Sequence, residues 1–152
     1  MKLTPLFEMQ GRIGSSTVIG TGPFGTRAIG EVTGGSFTGE RLSGQILTPG
    51  ADWVLLDSAG AVHLDARLTL ATNDGAHIYM RYTGILEFTD KIRDAFANGT
   101  STEFGDNYFM IQPMFETGDE RYSWLNRLVA VAEGRLLEGG MHYKVFECAP
   151  GD

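Results

Sequence analysis

The sequence predicts an all-β fold: a single antiparallel β-barrel of about nine strands with one short helix, occupying residues 1–152 as one domain. Three observations carry that prediction. The chain holds 21 glycines and nine phenylalanines and has few helical stretches, a composition suited to many short strands joined by tight turns. Residues Ala61 to Phe88 read as a long hairpin, because Val62, Leu64, Ala66, Leu68 and Leu70 alternate with His63, Asp65, Arg67 and Thr69. Glycines interrupt other strand-like runs, as at Gly39 and Gly44, where a barrel needs bulges and bends to turn its corners. At 152 residues and 16.5 kDa the chain is long enough to bury a core of its own.

Taken in order, Leu3 to Ile13 is a first strand with mixed alternation. Gly20, Thr21, Gly22, Pro23, Phe24 and Gly25 match the G-x-G-x-x-G pattern of a dinucleotide loop. That chemistry needs a helix starting at the third glycine, and TRAIGEVTGG is a poor helix former, so the segment is a glycine-rich loop between strands. Arg27 to Val32 resumes a strand, Ser36 to Leu47 follows, Pro49-Gly50 turns the chain, and Ala51 to Asp57 is another strand. In the central hairpin, Thr72-Asn73-Asp74-Gly75 suits a type I turn with Gly75 left-handed. A three-residue loop sets Thr72 opposite Ala76 and places Asp65, Arg67 and Thr69 on one face with Tyr79, Arg81 and Thr83, whereas a two-residue loop would swap the faces of the second strand.

The helix is predicted near Asp90 to Asn98, capped by Thr89 or Asp90, with Ile92 and Phe96 on one face and a stop at Asn98-Gly99, covering one end of the sheet. Tyr108 to Thr117 is a strand whose Pro113 belongs at an edge or bulge, because proline donates no ladder hydrogen bond. Asp119 to Asn126 forms a short helical turn, and Leu128 to Ala132 and Met141 to Cys148 close the chain as strands.

Charge narrows the function classes. With a formal net charge of −7 and no basic stripe, the chain would repel a phosphate backbone, so neither nucleic acid nor an anionic membrane is an expected partner. No apolar run reaches the length of a signal peptide, and nowhere do about 18 apolar residues follow one another. The single Cys148 forms no internal disulfide, in keeping with a reducing compartment, and a cytoplasmic location is expected. His63, His77 and His142 show no metal spacing, so no metal or other cofactor is expected. No serine has the G-x-S-x-G setting, and Cys148 has no evident activating partner.

What remains is a polar row, Asp65, Arg67, Tyr79 and Arg81, with Asp52, Tyr108, Glu116 and Asn126 as companions. On pattern alone the row suits either the solvent face, where such residues belong, or a lumen, where Asp and Arg survive only as a paired set. The blocks GGSFTGERLSGQI, GADW, LDARLTL, IYMRYTG, the Tyr-Phe pair with QPMFETGDERYSWLNR, and HYKVFE occur in an order that resembles the bacterial and fungal family called domain of unknown function 3237, from about Gly34 to Glu147. The resemblance implies a small, often self-associated antiparallel barrel. It also implies kinship with fungal relatives associated with polyketide pathways, which direct a ring closure by adding a hydroxyl across an activated double bond. One position departs: the family tends to carry arginine shortly after the Tyr-Phe pair, where this chain has Met110, which implies a more apolar ligand.

Because the family blocks centre on the polar row, the row is expected to face the lumen, with Leu64, Leu68, Ile78 and Met80 packed outward under the helix or against another copy in a homo-oligomer. The expected function is a cofactor-independent enzyme that isomerises, cyclises or dehydrates a small aromatic or polyketide-like molecule. Asp65 takes a proton, Arg67 stabilises an oxyanion and Tyr79 or Tyr108 returns a proton, while Arg81, Asp52, Glu116 and Asn126 help to bind the ligand. The alternative is a carrier of a small apolar ligand walled by Trp53, Phe109, Phe115 and Trp124. A perturbed carboxylate in the lumen would favour the enzyme, and a purely apolar lumen the carrier.

Overall fold

Alternating apolar residues leave each strand with one face to bury, and a ring of strands buries all of those faces at once. In a computed structural model, which describes residues 1–152, eight strands do this: β1 (Lys2–Gly22), β2 (Gly25–Thr38), β3 (Ser43–Leu56), β4 (Ala61–Thr72), β5 (His77–Glu87), β6 (Phe109–Glu116), β7 (Val129–Leu137) and β8 (Gly140–Ala149). Each is antiparallel to its sequence neighbour, and β8 returns to β1 to close the barrel. Helix α1 (Asp90–Asn98) lies between β5 and β6, and a 3-10 segment, Glu120–Arg127, lies between β6 and β7.

The expected strand boundaries shift: the halves of one expected strand join its two neighbours, which accounts for eight strands rather than nine. Strand β1 runs through Ser15–Gly22 to a turn at Pro23-Phe24, with register shifts taking up the extra residues. The predicted strand Ser36–Leu47 is divided by a turn at Gly39–Leu42 between β2 and β3. Pro49-Gly50 does not turn the chain: β3 passes through it on a register shift between Leu47 and Ala51. Pairing of β6 with β7 is limited to Met110↔Glu133 and Ile111↔Ala132, so Pro113 sits where no β7 neighbour needs its missing N–H.

The central hairpin has the predicted three-residue loop. Thr72 N–H donates to the Ala76 carbonyl at 2.9 Å, and Gly75 takes φ +92°. Arg67 therefore pairs with Arg81, and Thr69 with Tyr79. The face that turns inward is the aliphatic one: Leu64, Leu68, Leu70, Ile78 and Met80 are all under 5% exposed. The expectation that these residues pack outward, against the helix or a second copy, is overturned, because burying this aliphatic stripe is the largest gain the hairpin has.

Helix α1 matches its prediction. Thr89 Oγ1 accepts the Ile92 N–H at 3.3 Å, and Gly99 ends the helix at φ +64°, its N–H donating to the Ala95 carbonyl. Ile92 and Ala95 are buried, and Ala95 lines the barrel end together with Val62 and Leu86. At the opposite end the 3-10 segment buries Tyr122 and Leu125, and the Tyr122 hydroxyl donates to Asp74 in the hairpin turn. No helix is long and apolar enough to cross a membrane.

Candidate functional site

The two barrel ends are filled differently. Towards the 3-10 segment aromatic rings pack into the interior, with Phe7 edge-on to Phe37 and to Phe115 at centroid distances of 5.6 and 5.8 Å. Midway, the Tyr143 ring packs edge-on to Tyr82 and to Phe109, each at 5.4 Å. Gly134 makes room for this layer, since a Cβ there would fall 2.7 Å from the Tyr143 ring. Above it, towards α1, the lumen holds a cavity of about 380 Å³ whose walls include Val54, Leu56, Val62, Leu64 and Leu86. Ser16, Phe96, Gly99, Thr100 and Gly139 are exposed members of its lining and mark its mouth, between β1, α1 and the β7–β8 turn.

One side chain breaks this apolar surface. Asp52 lines the cavity and is only 2% exposed. Across the sheet, Asp52 pairs with Ala66 and Ala66 with Tyr82, while on the other side Asp52 pairs with Gly30. Small residues thus flank the carboxyl. The β3–β4 ladder skips from Asp52↔Ala66 to Leu55↔His63, and within this gap the Asp65 N–H donates to Asp52 Oδ1 at 3.0 Å. Oδ1 therefore serves the sheet. Oδ2 is buried and has no hydrogen-bond partner.

Burial pushes the Asp52 carboxyl up to about 6, opposed by the Asp65 N–H and assisted by the Asp65 charge. Desolvation also raises the Tyr82 phenol, with the Asp52 charge adding to it, and raises Tyr143 well above its ordinary value, so both rings stay neutral hydroxyls. The arrangement is a carboxyl with its acidity lowered by burial, one oxygen without a partner, in the wall of a small apolar space. Such a group can take up or return a proton at a bound molecule.

The predicted polar row lies elsewhere. Asp65, Arg67, Tyr79 and Arg81 are on the outer face, because they alternate with the buried aliphatic residues. Asp65 Oδ1 is 4.0 Å from Arg81 Nε, too long for a hydrogen bond, and the Arg67 guanidinium lies 5.6 Å over the Trp53 ring. Tyr108 is 56% exposed at the start of β6, and Glu116 and Arg81 also face solvent. None of these side chains reaches the lumen, so the roles expected of Asp65 as base, Arg67 as oxyanion partner, and Tyr79 or Tyr108 as proton donor do not apply to a molecule bound there.

The expected walls divide as well. Phe109 is buried in the tyrosine layer, and Phe115 packs against Phe7 towards the 3-10 segment. Trp53 is half-buried on the outer side of β3. Trp124 carries the Arg41 guanidinium 3.5 Å from its ring, and Asn126 brackets Thr117, accepting its N–H at 2.8 Å and donating to its carbonyl at 2.9 Å. Met110 is on the outer face, so the expectation that it makes the ligand more apolar does not bear on the lumen. Of the predicted site residues, Asp52 is the one the structure places in the cavity wall. Tyr82 and Tyr143 went unnoticed; Tyr82 was legible as the next inward position after Ile78 and Met80 once the hairpin faces were assigned by burial.

Comparison with known proteins agrees with this architecture. The model of a family described as a protein of unknown function, DUF3237, matches residues 1–148. A UPF0311 protein of Rhodopseudomonas palustris is 32% identical over 126 residues, covering 83% of this chain and 82% of its own. Among solved structures, a β-barrel-like protein of Acinetobacter baumannii is 35% identical with a TM-score of 0.82, covering 96% of this chain and 94% of that one. A structure whose description calls it an enzyme, from Penicillium herquei, shares the fold at 20% identity, with a TM-score of 0.71 over 96% of this chain and 92% of its own.

Proposed function

The chain belongs to the DUF3237 family, and from the chemistry of its own cavity we propose that it binds a small apolar molecule in the barrel lumen and moves a proton on it with the Asp52 carboxyl, without a cofactor. The observation that carries this reading is the free Oδ2 of Asp52. A buried carboxyl oxygen without a partner is costly to a fold that could have placed an aliphatic side chain there. Burial that lifts the carboxyl to about 6 gives it the acidity of a general acid or base working near neutral pH. The reaction class is proton transfer: isomerisation, cyclisation by hydroxyl addition, or dehydration. The Penicillium herquei protein, described as an enzyme, supports the view that this barrel can host catalysis.

A carrier is the second reading, favoured by the aliphatic walls around that single carboxyl. The test begins with mass spectrometry of ligand retained through purification, followed by turnover assays of the parent and of Asp52→Asn on that molecule. Loss of turnover with binding retained supports catalysis. A ligand that neither protein converts leaves the carrier reading standing and removes the enzyme.

A further inference from the structure

The lining of the cavity includes no arginine, lysine or histidine. Its polar side chains besides Asp52 are the hydroxyls of Ser16, Thr26 and Thr100, and Thr26 is already engaged with Thr21 at 2.9 Å. Arg67 and Arg81, the cations nearest in the sheet pattern, are on the other side of the wall. An anionic head entering the lumen would meet a carboxylate and no counter-charge, within a protein of net charge −7. A cationic head would meet a wall whose one charged side chain is the Asp52 carboxyl, its Oδ2 unpartnered and already stripped of water. It would complete a buried ion pair for which the fold has already borne half of the desolvation. Phe88 and Phe96 also line the space and offer ring faces that attract a cation.

We infer that the lumen takes a small apolar molecule bearing a cationic nitrogen, an ammonium or iminium, and rejects carboxylates and phosphates. This rests on the cavity-binding reading above. It also resolves a difficulty in the chemistry. Removing a proton beside a carbonyl leaves an oxyanion, and the cavity wall carries no cation or metal cluster to hold one. Removing a proton beside an iminium leaves no anion. The C–H bond breaks, its electron pair forms the C=C bond of an enamine, the C=N π pair returns to nitrogen, and the Asp52 carboxylate receives the proton. A cation and an anion become two neutral species, a change that an apolar cavity favours. The protonated carboxyl can then return the proton at a different carbon, completing an isomerisation.

The experiment is calorimetric titration at pH 8 with three probes of nearly equal size, 2-phenylethylamine, 2-phenylethanol and phenylacetate. The amine is expected to bind at least about tenfold more tightly than the alcohol, the scale of one charge-assisted hydrogen bond. Phenylacetate is expected not to bind. The preference should disappear in Asp52→Asn and shrink in the parent between pH 8 and pH 5, where the carboxyl takes up its proton while the amine stays charged. Phenylacetate binding as tightly as the amine, or an amine preference that survives Asp52→Asn, overturns the inference. Alcohol binding with no preference for the amine overturns it while leaving the cavity reading intact. Failure of all three probes to bind overturns both.

Discussion

Asp52 and Asp65 lie on adjacent strands and share a hydrogen bond, yet they occupy opposite sides of one sheet. Asp52 is 2% exposed in an apolar cavity, whereas the Asp65 side chain is 40% exposed on the outer face beside Arg81. Desolvation governs Asp52, lifting it to about 6, because the water that would stabilise its charge is absent. At Asp65 the side chain as a whole is part-exposed, although Oδ1, the oxygen nearest Arg81, is itself buried without a hydrogen-bond partner, and its long contact with the arginine contributes about 0–1 kcal/mol. A strand's period of two supplies the difference, so a sheet one residue thick can hold a fully buried carboxyl and a part-exposed one side by side.

The largest expected effect sets the two faces directly against each other. On the molecule identified by mass spectrometry, Asp52→Asn should lower turnover by roughly 100- to 10,000-fold, the contribution of a positioned acid or base. Asp65→Asn and Arg67→Lys should leave it unchanged. A rate loss in the outer-face variants equal to that of Asp52→Asn would break the assignment of faces to functions.

Stability should divide the same way. Leu70→Ala, at a fully buried inward position, is expected to cost about 2–5 kcal/mol in urea unfolding. Thr69→Ala, next to it on the outer face, should change stability by no more than about 0.5 kcal/mol. Equal effects would mean that the hairpin is not seated as described.

The third prediction uses pH. A carboxyl carried from an ordinary 3.8 to about 6 binds more protons folded than unfolded between those values, so its contribution favours folding below the lower one and is lost as pH rises to the upper one. Above pH 6 the charged Asp52 costs about 3 kcal/mol relative to pH 3.8, at about 1.4 kcal/mol per tenfold change in proton affinity. Asp52→Asn retains an acceptor for the Asp65 N–H and carries no charge, so it should be more stable than the parent at pH 8, with the advantage disappearing towards pH 4. Thermal unfolding across pH 4–8 measures this, and a variant less stable than the parent at pH 8 would count against a desolvated charge. The smallest effect belongs to Arg81→Gln. It removes a long ion pair with Asp65 together with the direct apposition to Arg67, and should alter stability by about 0.5 kcal/mol or less in either direction.

Local chemistry was sufficient for much of the fold. The loop at Thr72–Ala76, the helix from Asp90 to Asn98 with its Thr89 and Gly99 caps, and the segment after Asp119 are encoded by residues within a few positions of one another, and the structure contains each of them. The strand ends near Gly20, Gly39 and Pro49 were less legible. Whether a glycine or proline turns a chain or is absorbed in a bulge depends on whether the neighbouring strand continues past it, as β4 does beside Pro49.

The candidate site divides along the same line. Sequence alone determined that Asp65, Arg67, Tyr79 and Arg81 share one face of a hairpin and that the aliphatic residues share the other, because both follow from a period of two and a three-residue loop. Which face meets water was a tertiary decision, made by the burial of Leu64, Leu68, Leu70, Ile78 and Met80 against the other strands of the ring. Only closure of the barrel brings Asp52, Tyr82 and Tyr143 into one interior, from strands far apart in the chain. Only there does exclusion of water turn an ordinary aspartate into a carboxyl that titrates near neutral pH, since desolvation is a property of everything packed around a group and of nothing in its immediate sequence.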